Sequence, residues 1–486
     1  MITPGSNEIE AYAKDFSIIP ICKEIYGDIV TPISLLGKIS QVSKKYYLLE
    51  SIEGGKTWGR YSFLGFDPVM QITCKDNEIT IVDEEKRTLY SNRPFDVLRD
   101  ILAEYRAPKI PGMPPFTGGF VGYFAYEMIG YAESRLKLPK SNFNDFDLML
   151  YDKVIAYDHL KQKITVVVNM KTDHIMENYE KAVMDIERII QFIHDPIPFS
   201  KPHTGTKPKF SCDVTQEEYC SMVEQTKKYI RKGDIFQGVI SRRFETEYPD
   251  SLLNAYRVLR TTNPSPYMVF MENDDVELIS TSPETLVRLK EGTLVTFPIA
   301  GSRPRGETIE EDNKLEEELL QDEKELSEHN MLVDLARNDL GKISNISSVR
   351  VAEYQKVQKY SNIMHITSTV EGTLKPEKDA LDALEAILPA GTLSGAPKVR
   401  ACEIIGELEK HGRGIYGGAI GYIDFSGNMD TCIAIRMAVK KKNKVYVQAG
   451  AGIVADSVPA KEYEESGNKA KAMMEAMIRA GEVDDL

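Results

Sequence analysis

Residues 444–469 read KVYVQAGAGIVADSVPAKEYEESGNK, a strand that runs through small residues straight into a helix. KVYVQAGAGI has strand character, Pro459 suits a first helical turn, and the apolar spacing continues to about 481. On that helix Glu462, Glu465, Ser466 and Lys469 share one face, placing two carboxylates beside a lysine. Such a face suits a divalent cation next to an anion, and it equally describes a solvated ladder of ion pairs. Gly450-Ala451-Gly452 let a ligand approach backbone N–H groups, although a bulge or a tight strand crossing uses the same residues.

Outward from this stretch, strand-like runs follow one another more often than they alternate with helices. They include YYLLES, RYSFLGF, MQITC, KITVVVNM and IFQGVISRRFE. Helical spacing marks 94–105, 172–194, 309–340, 377–388, 397–410 and 459–481, and TQEEYCSMVEQTKKYIRKG opens on an N-cap Thr and closes on Gly. The fold class expected is α+β, with largely antiparallel sheets packed together and flanked by helices. Residues 195–210, DPIPFSKPHTGTKPKF, carry four prolines and no apolar periodicity, so they read as a linker between 1–194 and 211–486.

Composition narrows the function classes. Over 486 residues, 42% hydrophobic and 28% charged content suit a water-soluble globular enzyme, and a net charge of −14 argues against a nucleic-acid surface. An anionic substrate would therefore need a local positive pocket. Cys22, Cys74, Cys212, Cys220, Cys402 and Cys432 lack metal-site spacing and read as reduced core thiols. No membrane span is expected. MITPGSNEIEAYAKDFS has neither a basic segment nor an apolar core, so a cytoplasmic protein is the expectation.

Several further residues carry potential chemistry. Glu328 lies on a stripe with Met331, Leu332 and Leu335, which demands either a partner or an escape to water. In LPAGTLSGAPKVRACEIIGELEK, Ser394 is the candidate N-cap, Thr392 is a hydroxyl donor, and the loop and helix start favour anions. The phosphate-binding pattern G-x-x-x-x-G-K-[ST] is absent. In DTCIAIRMAV strand alternation would put Cys432, Ala434 and Arg436 on one face, with arginine suited to gripping a carboxylate. His365 sits in the apolar run YSNIMHITS, where a satisfied core histidine is common.

Six blocks together carry a resemblance that none carries alone: PIAGSRPRG, ELSEHNMLVDLARNDL, AGTLSGAPK, YGGAIGY, DTCIAIR and QAGAGIVADSVPAKEYEE. In this order over most of 215–475, they are similar to the signature blocks of the chorismate-utilising enzymes, and the chain most resembles the anthranilate synthase component I family. The resemblance implies that family's fold, Mg²⁺ bound by Glu328 and Glu465, and chorismate held by Arg436, Tyr416, Lys469 and the Gly450-Ala451-Gly452 amides. Gly301 and Ser302 complete the implied pocket, Ser302 standing where the family commonly has Thr. Glu284 in TSPETL matches the general acid for the departing C4 hydroxyl, Thr392 belongs to the same pocket, and His365 matches a residue beside the reacting ring.

Two positions separate members of the family by nucleophile. Gln237 stands where water-using relatives carry lysine, and Ala300 replaces the nucleophilic lysine of aminodeoxychorismate synthases. The resemblance therefore implies direct attack of ammonia on C2, followed by loss of pyruvate to give anthranilate, a lyase reaction in tryptophan biosynthesis. LLES at 48–51 and NPSPYM at 263–268 resemble blocks of a tryptophan feedback pocket, with Ser51, Pro266, Tyr267 and Met268 as contacts. No cysteine-nucleophile glutaminase pattern occurs in the chain. A separate glutamine amidotransferase subunit, in a hetero-oligomer, is implied as the ammonia source.

Overall fold

A computed structural model of the chain describes residues 1–51, 59–196, 207–360 and 363–483. Two large antiparallel sheets lie face to face. The first, of thirteen strands, runs from Ile2–Thr3 at one edge through Tyr46–Glu50, Tyr267–Glu272, Val276–Ser282, Met437–Lys441 and Lys444–Ile453 to Gln237–Glu247 and Ser211–Cys212. The second, of twelve, runs from Ile299–Pro304 and Ile363–Thr373 through Thr285–Lys290, Met429–Ile433, Ala419–Asp424 and Gly119–Phe124 to Lys86–Tyr90. This is the α+β arrangement expected. Of the expected linker, 197–206 lie outside the described residues; each sheet draws strands from both sides of it.

Burial explains the layering. Between the sheets lies a layer that includes Tyr47, Phe63, Tyr123, Met149, Tyr151, Leu278, Ile420, Cys432 and Val439. Gly119–Phe124 and Phe146–Tyr151 are buried along their whole length, so their sequences, GFVGYF and FDLMLY, lack the alternation of a half-solvated strand. The outer face of the first sheet packs on helices that include Pro32–Ile39, Ile175–His194, Leu253–Thr262 and Pro459–Arg479. The second packs on Pro94–Ala103, Glu323–Ile343 and Ala380–Ile387. No helix among the described residues is long and apolar enough to cross a membrane. Cys22, Cys74, Cys402 and Cys432 are free and buried; Cys212 and Cys220 are free and half-buried.

Three local expectations need correction. The continuous helix over 309–340 is two helices, Ile309–Gln321 and Glu323–Ile343. Asp322 ends the first and caps the second, its carboxylate accepting from Lys324 N and Glu325 N while Arg303 pairs with it at 2.8 Å. Ser394 is not the N-cap of the following helix: its hydroxyl donates to Ala390 O, and Pro397 occupies the cap of Lys398–Leu408. DTCIAIRMAV is not one strand either. It leaves the second sheet at Ile433 and enters the first at Met437, with Arg436 in the left-handed region at φ +48°. Cys432 and Ala434 are buried between the sheets while Arg436 stands in the crossing, so alternation does not relate them.

A second crossing lies beside it. Val276–Ser282 belongs to the first sheet and Thr285–Lys290 to the second, leaving Pro283 and Glu284 between. Ile433 N donates to Glu284 O and Thr281 N to Arg436 O, both at 3.0 Å, which ties the crossings together. Bends from sheet to sheet free backbone and side chains from ladder pairing, and here they set Glu284 and Arg436 in the two linked crossings.

Candidate active site

The two crossings form the floor of the site: Glu284 and Thr392 line a cavity walled by Leu332, Leu335 and Asp339 of the helix Glu323–Ile343, and Arg436 lines a second one walled by the helix Pro459–Arg479. On the floor, Thr392 Oγ1 donates to Glu284 Oε1 at 3.1 Å from the short turn Gly391–Leu393. Burial pushes the Glu284 carboxyl up to about 8, with the Thr392 hydroxyl and the charge of Lys469 pulling the other way. It is therefore largely a neutral acid at pH 7, able to donate a proton.

The cationic side is built by Arg436 and Lys469. Arg436 Nη1 approaches Lys469 O at 3.4 Å; Lys469 Nζ bonds Gly450 O at 3.1 Å and Glu465 Oε1 at 2.7 Å. Burial lowers the Arg436 pKa, and Tyr416 and Glu465 oppose that shift. Arg436, Lys469 and Glu465 line one open cavity together with Lys461, Glu464 and Asn468. Replacing Arg436 by Lys keeps a cation but loses the planar fork. We expect the KM for an anionic substrate to rise about 10- to 100-fold with a smaller change in kcat, measured by steady-state kinetics.

Gly450, Ala451 and Gly452 stay in the Lys444–Ile453 strand, paired with Ser241, Ile240 and Val239. Pairing to the neighbour Met437–Lys441 stops at Ala438–Val447, so this end of the strand is flanked on one side only. Gln237 covers Gly452: a Cβ there would lie 2.5 Å from Gln237 Nε2. The same nitrogen donates to Glu328 Oε1 at 3.3 Å, while Gln237 Oε1 is buried with no hydrogen-bond partner. Opposite, Ser302 pairs in register with His365, whose Nδ1 lies 3.2 Å from Gly301 O. Burial lowers the His365 pKa. Ser302 itself is exposed, and Gly301, at φ +77°, has room for a Cβ only 3.2 Å from Glu325 Oε2.

Glu325 was not singled out by sequence, although its i, i+3 spacing to Glu328 was visible. Burial and then the Glu328 charge raise its pKa. On the other helix, burial raises Glu462, a Ser457 hydrogen bond lowers it, and the Glu465 charge raises it again. Lys324 also acts on Glu462, so the start of the long helix faces the C-terminal one. The carboxylates repel within each pair, and a hard divalent cation with oxygen ligands relieves such repulsion. Among the described residues no three acidic, His or Cys side chains form a closed metal cage. Mg²⁺ characteristically needs one or two protein carboxylates, with water and substrate oxygens completing its shell.

Ser51, Pro266, Tyr267 and Met268 line a different cavity of about 220 Å³. Its wall also holds Glu50, Arg60, Phe63, Tyr422 and Asp430. Glu50 is fixed by Arg260 at 2.6 Å and Tyr256 Oη at 2.7 Å, and Tyr267 Oη donates to Asp430 Oδ1 at 2.7 Å. An aromatic slot with charges of both signs suits an aromatic zwitterion.

The family model described as chorismate binding enzyme matches residues 44–475, and the chain belongs to that family. Within it, two similar relatives are component 1 proteins of anthranilate synthase. That of Acetivibrio thermocellus is 44% identical, covering 99% of this chain and 100% of the relative. That of Pseudomonas aeruginosa is 44% identical over 96% and 97%. The crystal structure of anthranilate synthase component I from Streptococcus pneumoniae superimposes with a TM-score of 0.78 at 37% identity, covering 93% of this chain and 98% of that one. The menaquinone-specific isochorismate synthase of Escherichia coli, at 18% identity and a TM-score of 0.71 over 97% and 98%, shares the fold.

Proposed function

We propose that the protein forms anthranilate from chorismate and ammonia as the aminating component of an anthranilate synthase. The observation that carries this is the buried Glu284 carboxyl, held by the Thr392 hydroxyl and within reach of the charge of Lys469, which Arg436 meets at its backbone carbonyl. Chorismate is a dicarboxylate whose C4 hydroxyl must leave, so it needs a proton donor and cations in one pocket. Arg436 and Lys469 would bind carboxylate; Glu284 would protonate the C4 oxygen, which leaves as water while ammonia bonds to C2 and the ring double bonds shift. Loss of the C2 proton and cleavage of the C3–O bond then release pyruvate. His365, beside Gly301 and with a lowered pKa, is suited to take a proton.

Mg²⁺, carried by Glu328 and Glu465 with Glu325 and Glu462 nearby, would neutralise carboxylate charge on the substrate. The absence of lysine at Gln237 and Ala300 supports ammonia over water and over a covalent route. The name component 1 carried by the relatives implies a second component, and a glutamine amidotransferase subunit fits the need for ammonia. Purified chain should convert chorismate with ammonium and Mg²⁺ and lose activity in EDTA; inactivity with ammonium at pH 7.5–8 and saturating Mg²⁺ would refute the reading.

We infer that the second cavity binds L-tryptophan as a feedback inhibitor. Calorimetry should detect L-tryptophan binding, and Ser51→Trp, which fills the cavity, should raise the half-inhibitory concentration at least about tenfold. Unaltered inhibition in that variant would place the inhibitor elsewhere.

A further inference from the structure

Beneath the floor lies a fully buried ion pair that the reaction does not touch. Arg413 and Glu409 have side chains only 1% and 6% exposed. Nε and Nη2 of Arg413 donate to Glu409 at 2.9 and 2.6 Å. Its remaining reach is spent on two backbone carbonyls from different segments: Nη1 donates to Leu393 O at 2.5 Å and Nη2 to Val239 O at 2.6 Å. Leu393 follows Thr392 in the Gly391–Leu393 turn, and Val239 lies two residues beyond Gln237. The guanidinium also lies 5.8 Å from the ring centre of Tyr416 and 4.7 Å from that of Tyr126. Glu409 is committed in turn to Ser241, accepting from its N and Oγ at 2.8 and 2.9 Å.

One side chain therefore ties together the turn bearing Thr392, the strand bearing Gln237 and the ring of Tyr416. A planar fork is the side chain that can serve a carboxylate and two divergent carbonyls at once. We propose that Arg413 is a positioning residue, fixing the Gly391–Leu393 turn so that the Thr392 hydroxyl meets the Glu284 carboxyl. This rests on the chorismate reaction proposed above.

A buried pair that served stability alone could be exchanged for apolar side chains without loss of turnover. The test is Arg413→Met/Glu409→Leu, which removes both charges together and leaves neither orphaned. With the ammonium-dependent assay, kcat should fall about 10- to 100-fold with a smaller change in chorismate KM. Adding Thr392→Val should then cost much less than it does in the parent chain, because the hydroxyl has already lost its place. Arg413→Lys, which keeps the charge pair and loses the fork, is judged by the same two measures should the double variant not fold. Turnover within about threefold of the parent, or a Thr392→Val cost as large as in the parent, overturns the proposal. Lack of turnover by the parent itself would count against the reaction, not against the role of Arg413.

Discussion

Glu284→Gln should lower kcat by about 10²- to 10⁴-fold while chorismate KM changes little, the size expected when a positioned proton donor is removed. The amide matches the carboxyl in shape and still meets the Thr392 hydroxyl, so the loss isolates the proton. The pH dependence follows from the direction of the shift. A carboxyl raised to about 8 is mostly neutral at pH 7 and loses its proton as pH climbs through that value. Turnover per unit of free NH₃ should therefore fall above about pH 8, even though more ammonium is deprotonated there. The same shift also makes the stability contribution fall with rising pH. The folded pKa lies above the ordinary carboxylate value of 4.5, so the stabilising contribution of Glu284 is present at low pH and is lost as pH rises through about 8. Glu284→Gln should accordingly melt no lower than the parent at pH 8 by calorimetry. A flat profile through pH 9, or nearly normal turnover in the Gln variant, would assign the proton to another group.

Glu328→Gln should be the second large loss, about 100-fold or more in kcat/KM at limiting Mg²⁺, with partial recovery as Mg²⁺ is raised. Glu328 is half-buried, held by Gln237 Nε2 and placed beside Glu325. Removing its charge relieves the repulsion on Glu325, so the folded protein should not suffer; what disappears is negative charge for a cation. Direct Mg²⁺ titration by calorimetry separates weakened metal binding from a slower reaction. Equal Mg²⁺ affinity and near-normal turnover in the variant would exclude Glu328 as a ligand.

Particular residues mark how far the sequence could be read. The face of Glu462, Glu465, Ser466 and Lys469 needs only helical periodicity, and the structure places those residues on one helix with Lys469 against Glu465. Arg436 was legible as a residue type but not in its setting. Alternation through DTCIAIRMAV reads as a single strand, and only tertiary structure shows the chain changing sheets at a left-handed arginine. Asp322 splits one apparent helix because its carboxylate competes for the amides of the next turn, a preference outweighed in the pattern by the apolar spacing around it. Glu284 was identified through its block resemblance alone, since the raised pKa that would keep its proton at pH 7 comes from burial in the crossing between two sheets, not from its neighbours in sequence. For Arg413 the sequence offered only the nearby Glu409, four residues back; the carbonyls of Leu393 and Val239 that define its role reach it only in the folded chain.

The most direct test is the identity of the product. Chorismate supplied with ammonium, Mg²⁺ and this chain alone should yield anthranilate and pyruvate in a one-to-one ratio by mass spectrometry and pyruvate assay. A product aminated at C4 that retains its enolpyruvyl group, or isochorismate formed with water, would contradict direct amination at C2.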